Sequence, residues 1–493
     1  DKKDKKDKEP SKAARSFIRP LLFIQRARIT YTEDFTSVLP GFVSTHVLLG
    51  QSRDFRKPGF DFAFGMQPTT QWLDNGAANG WITPNIFQNQ QFQQTHRLDY
   101  SGKLNLAPFQ DFNIEVDINK TISQSYSENF KVDTFGGTYR HLNPMRIGTF
   151  TMSYLPIRTM TDAEGSYGKN SSATFDQFSA NREIFSQRIG TGRHDDTLTN
   201  ANYTEGYGRS QQDVLVNSFI AAYTGQDART MPLISDIRNL LPAPNWRVTY
   251  NGLQKLKFFS KFLSSFSLTH AYKSTLTINR FATDLDYAND PTQKDPNSAN
   301  FYSTFEVPDI LITEQFNPLL GIDMRFKNEL SARFNYKSSR NLAMNFNDYT
   351  LASTTSEEIT IGFGYRLKNV KASQLFMSKG AREKANKEPK PKKNENDFYF
   401  DFGKTTPKHE WNIQFDFSYR DDKTINHILD QRTSQATRGM QTLRIAPSID
   451  YIINTRLTIR AFFDYSRTIP AVTTAFPITN MKGGVTLRFS LSQ

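Results

Sequence analysis

The sequence predicts an all-β fold: antiparallel transmembrane β-barrel strands, about fourteen in this chain of 493 residues, with one small helical insertion. Three observations carry that expectation. The last fifty residues read as three successive strands, 443–452, 456–466 and 483–493. In the third, Val485, Leu487, Phe489 and Leu491 alternate with Thr486, Arg488, Ser490 and Ser492, and a period of two sends the two sets to opposite faces. Composition is the second: hydrophobic residues make up only 37% of the chain, yet aromatics reach 13%, with 41 Phe, and mean hydropathy is −0.58. A wall that is greasy on one side and polar on the other has that profile; a soluble enzyme of this length carries more Leu, Val and Ala in core helices. Third, no run of about eighteen apolar residues occurs, so no transmembrane helix is available.

Taken in order, residues 1–14 form a Lys-rich linker of low complexity, and 15–158 carry barrel strands interrupted by an extracellular insert at 36–90. The strands there are 23–32, then the hairpin 92–106 and 112–125, then 148–156. A short run at 59–65, with Phe60, Phe62 and Phe64 alternating, is the only pattern in an otherwise irregular stretch. Residues 159–244 differ: Phe175, Phe178, Phe185 and Ile189 recur at helical spacing and 213–223 reads as a second helix, so a folded insertion in a loop or inside the pore is expected. Strands resume at 246–250 and 267–280, with a basic amphipathic segment between them, 253–263, suited to a membrane interface. A hairpin of 316–326 and 330–346 follows, then 359–368. After a Lys-rich loop at 371–407 the C-terminal strands occupy 408–493, led by 411–420 with its unbroken alternation.

These strands number thirteen, and topology asks for one more. If the chain's last strand ends at the periplasm, Asn328 and Asn454 lie in periplasmic turns, the Lys-rich loop is periplasmic and 421–439 is an outer loop. Counting back, 148–156 and 246–250 then run the same way, which antiparallel neighbours cannot do. A fourteenth strand is therefore expected within 160–240.

Alternation divides the side chains into two sets. The lipid-facing set is Phe112, Ile114, Val116, Trp411, Ile413, Phe415, Phe417, Ile459, Phe463, Leu487 and Phe489. The lumen-lining set is Glu115, Asp117, Lys273, Asp323, Arg325, Arg333, Arg366, Asp416, Arg444, Asp450, Arg460, Asp464 and Arg488. A charge on the lipid face costs roughly 2–4 kcal/mol at mid-depth, so the charged set marks the wet side. Its role is to keep a pore hydrated and non-adhesive, or only to form ion pairs across the wall. Trp246, Trp411, Tyr419 and Tyr451, at strand ends, suit interfacial girdles.

Much of the excess behind the net charge of +12 sits in the two Lys-rich tracts, which reads as solvated linkers and not as a nucleic-acid groove. With no cysteine, disulfides and thiolate metal sites are excluded. Arg193-His194-Asp195-Asp196 sets a His beside two carboxylates, but adjacency in sequence does not make a proton relay. Asp284, Asp286 and Asp290 lack the glycine and closing Glu of a calcium loop. No catalytic, cofactor or metal site is expected.

Several segments resemble the C-terminal part of the outer-membrane translocon family of the Type IX secretion system (SprA/Sov). They are 212–227, 245–253, 317–330, 339–370 and the closing 473–493, in family order over most of 15–493. The resemblance implies the last third or less of a very large single-chain barrel in the outer membrane of a Gram-negative bacterium. It further implies a conduit for folded cargo carrying a C-terminal sorting domain. Implied partners are a PorV-type shuttle barrel at a lateral opening, a periplasmic plug protein, the upstream part of the same translocon and outer-membrane lipid. Two departures stand out. The family's long upstream part is missing, and Gln493 is not the terminal aromatic common in such barrels, although Phe489 lies close by. Two rivals remain: a self-contained fourteen-stranded channel or apolar-ligand transporter, which the Lys-rich opening and the lack of a plug disfavour, and an outer-membrane hydrolase centred on His194.

Overall fold

A computed structural model describes residues 23–490 apart from 55, 134–136, 163–171, 192–201, 372–379, 381–406, 430, 432, 455 and 472–474. The linker 1–14, most of the Lys-rich loop and the Arg193–Asp196 cluster lie outside the described residues.

Fourteen strands form one antiparallel sheet. They are β1 Ile24–Val38, β2 Phe92–Phe109, β3 Phe112–Val132, β4 Tyr139–Ser153, β5 Asn245–Tyr250, β6 Leu263–Thr283, β7 Phe305–Glu306, β8 Asp309–Phe326, β9 Leu330–Asn345, β10 Thr350–Leu367, β11 Pro407–Ile428, β12 Thr433–Asn454, β13 Leu457–Pro470 and β14 Ile478–Phe489. The path runs β1-β2-β3-β4-β6-β8-β9-β10-β11-β12-β13-β14, so the wall is twelve strand lines wide. Among the described residues β1 pairs only with β2 and β14 only with β13. The sheet is open at both edges.

No strand lies among the described residues of 160–240, so the fourteenth strand expected there is not found among them. The conflict of direction is resolved another way. β4 pairs with β3 and β6 from Lys120 and Thr275 upward, and β5 pairs with the same two strands from Asp117 and Tyr272 downward. They are two halves of one strand line, split between Ser153 and Asn245 by the helical insertion. Side chains close the break, because a buried ladder tolerates no orphaned amide. The Asn245 side-chain oxygen accepts from the Ser274 amide at 2.8 Å, and the Ser153 hydroxyl accepts from the Asn119 amide at 3.1 Å. Across the gap the Ala243 amide donates to the Ser153 carbonyl at 2.9 Å.

Strands also run further than alternation suggested. The expected outer loop 421–439 is mostly ladder, since β11 and β12 stay paired up to Ile428 and Thr433. Twenty-two residues of β11 span about 70 Å at 3.3 Å per residue, well beyond a bilayer's hydrocarbon. Above the membrane-like stretch the alternation fades, because the second face carries Asp421, Lys423 and Thr355 in place of grease. The Phe60-Phe62-Phe64 run proves to be part of a helical turn, Phe60–Ala63.

Three longer helices cover one face of this upper wall: α1 Thr70–Ala78, α2 Ala173–Gly190 and α3 Gln212–Thr224. Phe175, Phe178 and Phe185 of α2 and Val214, Phe219 and Ile220 of α3 share a core with Phe150, Met152, Leu276, Ile278, Ile310, Ile312, Leu342, Met344 and Leu351 of the strands. The insertion thus packs against the apolar side of the sheet. α3 is closed by Gly225 in the left-handed conformation, φ 64°, whose amide reaches the Ala222 carbonyl.

α1 docks further along the same side, with Leu73 and Ile82 against Phe92 and Phe130. His141 of β4 ties it down. Its Nδ1 lies 2.7 Å from Oε2 of the fully buried Glu128 and its Nε2 lies 3.0 Å from Oδ1 of Asp74 on α1. Burial alone would push the imidazole down, but the two carboxylates outweigh it and hold it above the usual 6.5. A group raised on folding contributes stability that is complete below its unfolded value and is lost as pH rises through the folded one. Amide exchange over 70–78, corrected for intrinsic rate, is accordingly expected to quicken between pH 6 and pH 9, and His141→Gln to remove that dependence.

Candidate membrane belt and polar wall

Register across twelve strand lines fixes which side chains share a face. Start from β3: Phe112, Ile114 and Val116 stand opposite Tyr250, Val248 and Trp246 of β5, and these stand opposite Leu268, His270 and Tyr272 of β6. The same face continues through Ile322 and Met324 of β8, Phe334 and Tyr336 of β9, and Ile359, Ile361, Phe363 and Tyr365 of β10. It goes on through Trp411, Ile413, Phe415, Phe417 and Tyr419, then Tyr451, Ile449 and Ile445, then Ile459, Phe463 and Tyr465, and ends on Val485, Leu487 and Phe489. Toward β1 it takes in Leu104, Leu106, Ile29 and Tyr31. All eleven residues read as lipid-facing lie on this face.

Apart from Tyr272 and Trp246, which Ile157 and Met160 cover, no described element covers this lower band. Phe363, Phe415, Ile449 and Phe463 remain 39–49% exposed, values far from those of a protein core. Aromatic rows border it. Along the turn end, Phe109 stacks on Phe112 with centroids 4.5 Å apart and Trp411 on Tyr451 at 4.1 Å. About nine residues higher along β11 and β13 come Tyr419 and Tyr465, joined by Tyr336, Tyr31 and Tyr100 at the same level of their own strands. Nine strand residues at the usual tilt match one hydrocarbon thickness.

The opposite face carries all thirteen residues read as lumen-lining. Glu115 and Asp117 stand opposite Arg247 and Asn245, and Lys273 opposite Gln315. Asp323 stands opposite Arg333, with Arg325 two residues along β8. Arg366, Asp416, Arg444, Asp450, Arg460, Asp464 and Arg488 continue the face across β10 to β14. Among the described residues seven of them form ion pairs with neighbouring strands. Arg333 Nε lies 2.8 Å from Asp323, Arg444 Nη2 is 2.6 Å from Asp464, Arg460 Nε is 3.6 Å from Asp450, and Arg366 pairs with Glu410. Most of these groups are half exposed, so each pair contributes little to stability and opposite charges alternate across the surface. A face so neutralised carries no large field of one sign.

Sequence reasoning missed the network that fastens the insertion. Arg340 of β9 and Glu314 of β8 are buried and paired on the apolar side, just above the belt. Arg340 also donates to the Thr159 carbonyl and hydroxyl, Thr159 Oγ1 donates to the Tyr223 carbonyl at 2.9 Å, and the Tyr272 hydroxyl donates to Glu314 at 3.1 Å. The available signal was parity: an Arg at an apolar-face position marks where protein covers that face.

The Asp284 cluster is structural. Asp284 caps the short helix Leu285–Asn289 through the Asp286 and Tyr287 amides, and Asp290 accepts from Thr292. Among the described residues no group of His, Asp and Glu has the arrangement of a metal site, and no helix is long and apolar enough to cross a membrane. No protein-family model and no curated protein matches this chain.

Proposed function

We propose that this chain is an arc of a large outer-membrane β-barrel that conducts folded proteins outward, as its resemblance to the Type IX translocon implies. One observation supports the reading above the others: a wall of twelve strand lines, banded with grease on one face and polar on the other, is open at both edges. A closed channel of this width would pair β1 with β14. Where twelve lines are only an arc, the ring encloses a lumen wider than a solute pore. The polar face then lines the passage with paired, hydrated charges, and the banded face meets lipid. The edges adjoin further strands of the translocon, and the partners are the shuttle barrel, the plug protein and the cargo's sorting domain.

The cysteine-free sequence allows a direct test. Cysteines at Ile29 on β1 and, one at a time, at Gly483, Val485 and Leu487 on β14 are oxidised in native membranes. No disulfide is expected between the two edges, since each borders further translocon strands instead of the other. An efficient bond between the two edges, in a particle of 56.6 kDa, would mean a small closed pore and end the translocon reading.

A further inference from the structure

Between β5 and β6 the chain does not turn tightly. Residues 251–262 form two single-turn helices, Gly252–Lys255 and Phe259–Lys261, laid across the turn end of the wall. Tertiary bonds pin this ledge. The Asn251 amide donates to the Asp111 carbonyl, Lys255 pairs with the Asp111 carboxylate, and the Gln254 side chain accepts from the Phe266 amide at 3.0 Å. On the far side Lys327 Nζ donates to the Ser260 carbonyl and the Lys327 amide to that of Phe262.

So fixed, the ledge exposes what a folded segment normally hides: Leu256, Phe262 and above all Phe258, 70% exposed. Phe258, Phe259 and Phe262 are mutually edge-on at 5.3–5.8 Å, and Phe262 stacks on Phe326 of the apolar face. The ledge is therefore continuous with the lower aromatic row. Beside these rings Lys257 and Lys261 are exposed and form no ion pair among the described residues. Apolar side chains at belt level next to unneutralised amines match a molecule with an acyl tail and an anionic head.

We propose that residues 256–262 form a binding site for an anionic phospholipid, phosphatidylglycerol or cardiolipin, with Lys257 and Lys261 on the phosphate and Phe258 and Phe262 against the first acyl carbons. The proposal rests on the membrane reading above. It selects phospholipid over lipid A because the ledge lies at the end with the shortest turns, 110–111 and 327–329, as at the periplasmic end of a bacterial barrel.

The test uses the detergent-extracted protein, with bound lipid counted by native mass spectrometry in mixtures of cardiolipin, phosphatidylglycerol, phosphatidylcholine and lipid A. Cardiolipin or phosphatidylglycerol is expected to be retained preferentially, with K257Q/K261Q weakening retention about thirtyfold and K257R/K261R restoring it. Lys327 is left unchanged because it holds the ledge. In parallel, bromine-labelled phosphatidylcholine vesicles report quenching of Trp246 and Trp411 in the belt. Quenched tryptophans with lipid retention indifferent to K257Q/K261Q, or a preference for lipid A, overturn this site alone. Unquenched tryptophans overturn the membrane reading, and the site with it.

Discussion

Replacing Arg340 with Met is expected to detach the helical insertion from the wall while the strands beneath stay paired. The guanidinium and the Glu314 carboxylate are 2% and 0% exposed, and removing one partner leaves the other charged in an apolar surround, at a cost of about 3–5 kcal/mol. More than the pair is lost. Arg340 supplies both hydrogen bonds to Thr159, and Thr159, with Arg158 beside it, ties the chain leaving β4 to α3. The wall's cross-strand ladder does not depend on it, since β8 and β9 remain paired from Asp309 to Arg325. Proteolysis within 154–244 should therefore accelerate at least a hundredfold, with the β-sheet circular dichroism unchanged. The double variant R340M/E314L, which fills the site with apolar volume and leaves no stranded charge, is expected to recover most of the loss. If R340M alone leaves the insertion as resistant as before, the pair does not fasten it.

That network illustrates where legibility in the sequence stopped. Period-two alternation reveals a strand only where one face is apolar and the other is not; residues 411–420 satisfy this without a break, and 457–465 with the single exception of Phe462. Higher up, β11 continues as Asp421, Asp422, Lys423 and Thr424, polar on both parities, and alternation has nothing to report although the ladder persists. The register of the belt was therefore readable and the height of the wall was not. The split strand was legible as a contradiction of direction but not as its solution, because six residues of β5 are too few to show which line they complete. What marks the solution is Asn245, an amide side chain with no local role that replaces a missing main-chain partner 29 positions away. The faces of the candidate site were legible because a charge on one side of a pleat dictates the parity of a whole strand. The ion pairs were not, because they depend on the register between strands, which alternation within one strand does not set even for hairpin neighbours such as Asp323 and Arg333.

The belt yields the prediction whose sign carries most. Phe415 sits at the middle of the banded face and Gln414 beside it on the polar one, with Phe363 and Gly364 across the ladder. Phe415→Arg is expected to destabilise the protein by about 2–4 kcal/mol in vesicles, the cost of a guanidinium at mid-depth. Gln414→Arg changes stability by no more than about 0.5 kcal/mol, since that side chain stays in water. Denaturant unfolding of vesicle-refolded protein, followed by Trp emission, measures both. The comparison is decisive because the alternative environment reverses the first result. If the banded face met water, Phe415 would be a half-exposed ring on a sheet, and arginine in its place would be neutral or improve solubility. Depth supplies a further control. Tyr419→Arg, one aromatic row above, lies where side chains reach headgroups, and its cost should fall to about 0–1 kcal/mol. A penalty that peaks at Phe415 and declines toward Trp411 and Tyr419 traces a bilayer; a flat profile along these alternate residues is incompatible with one.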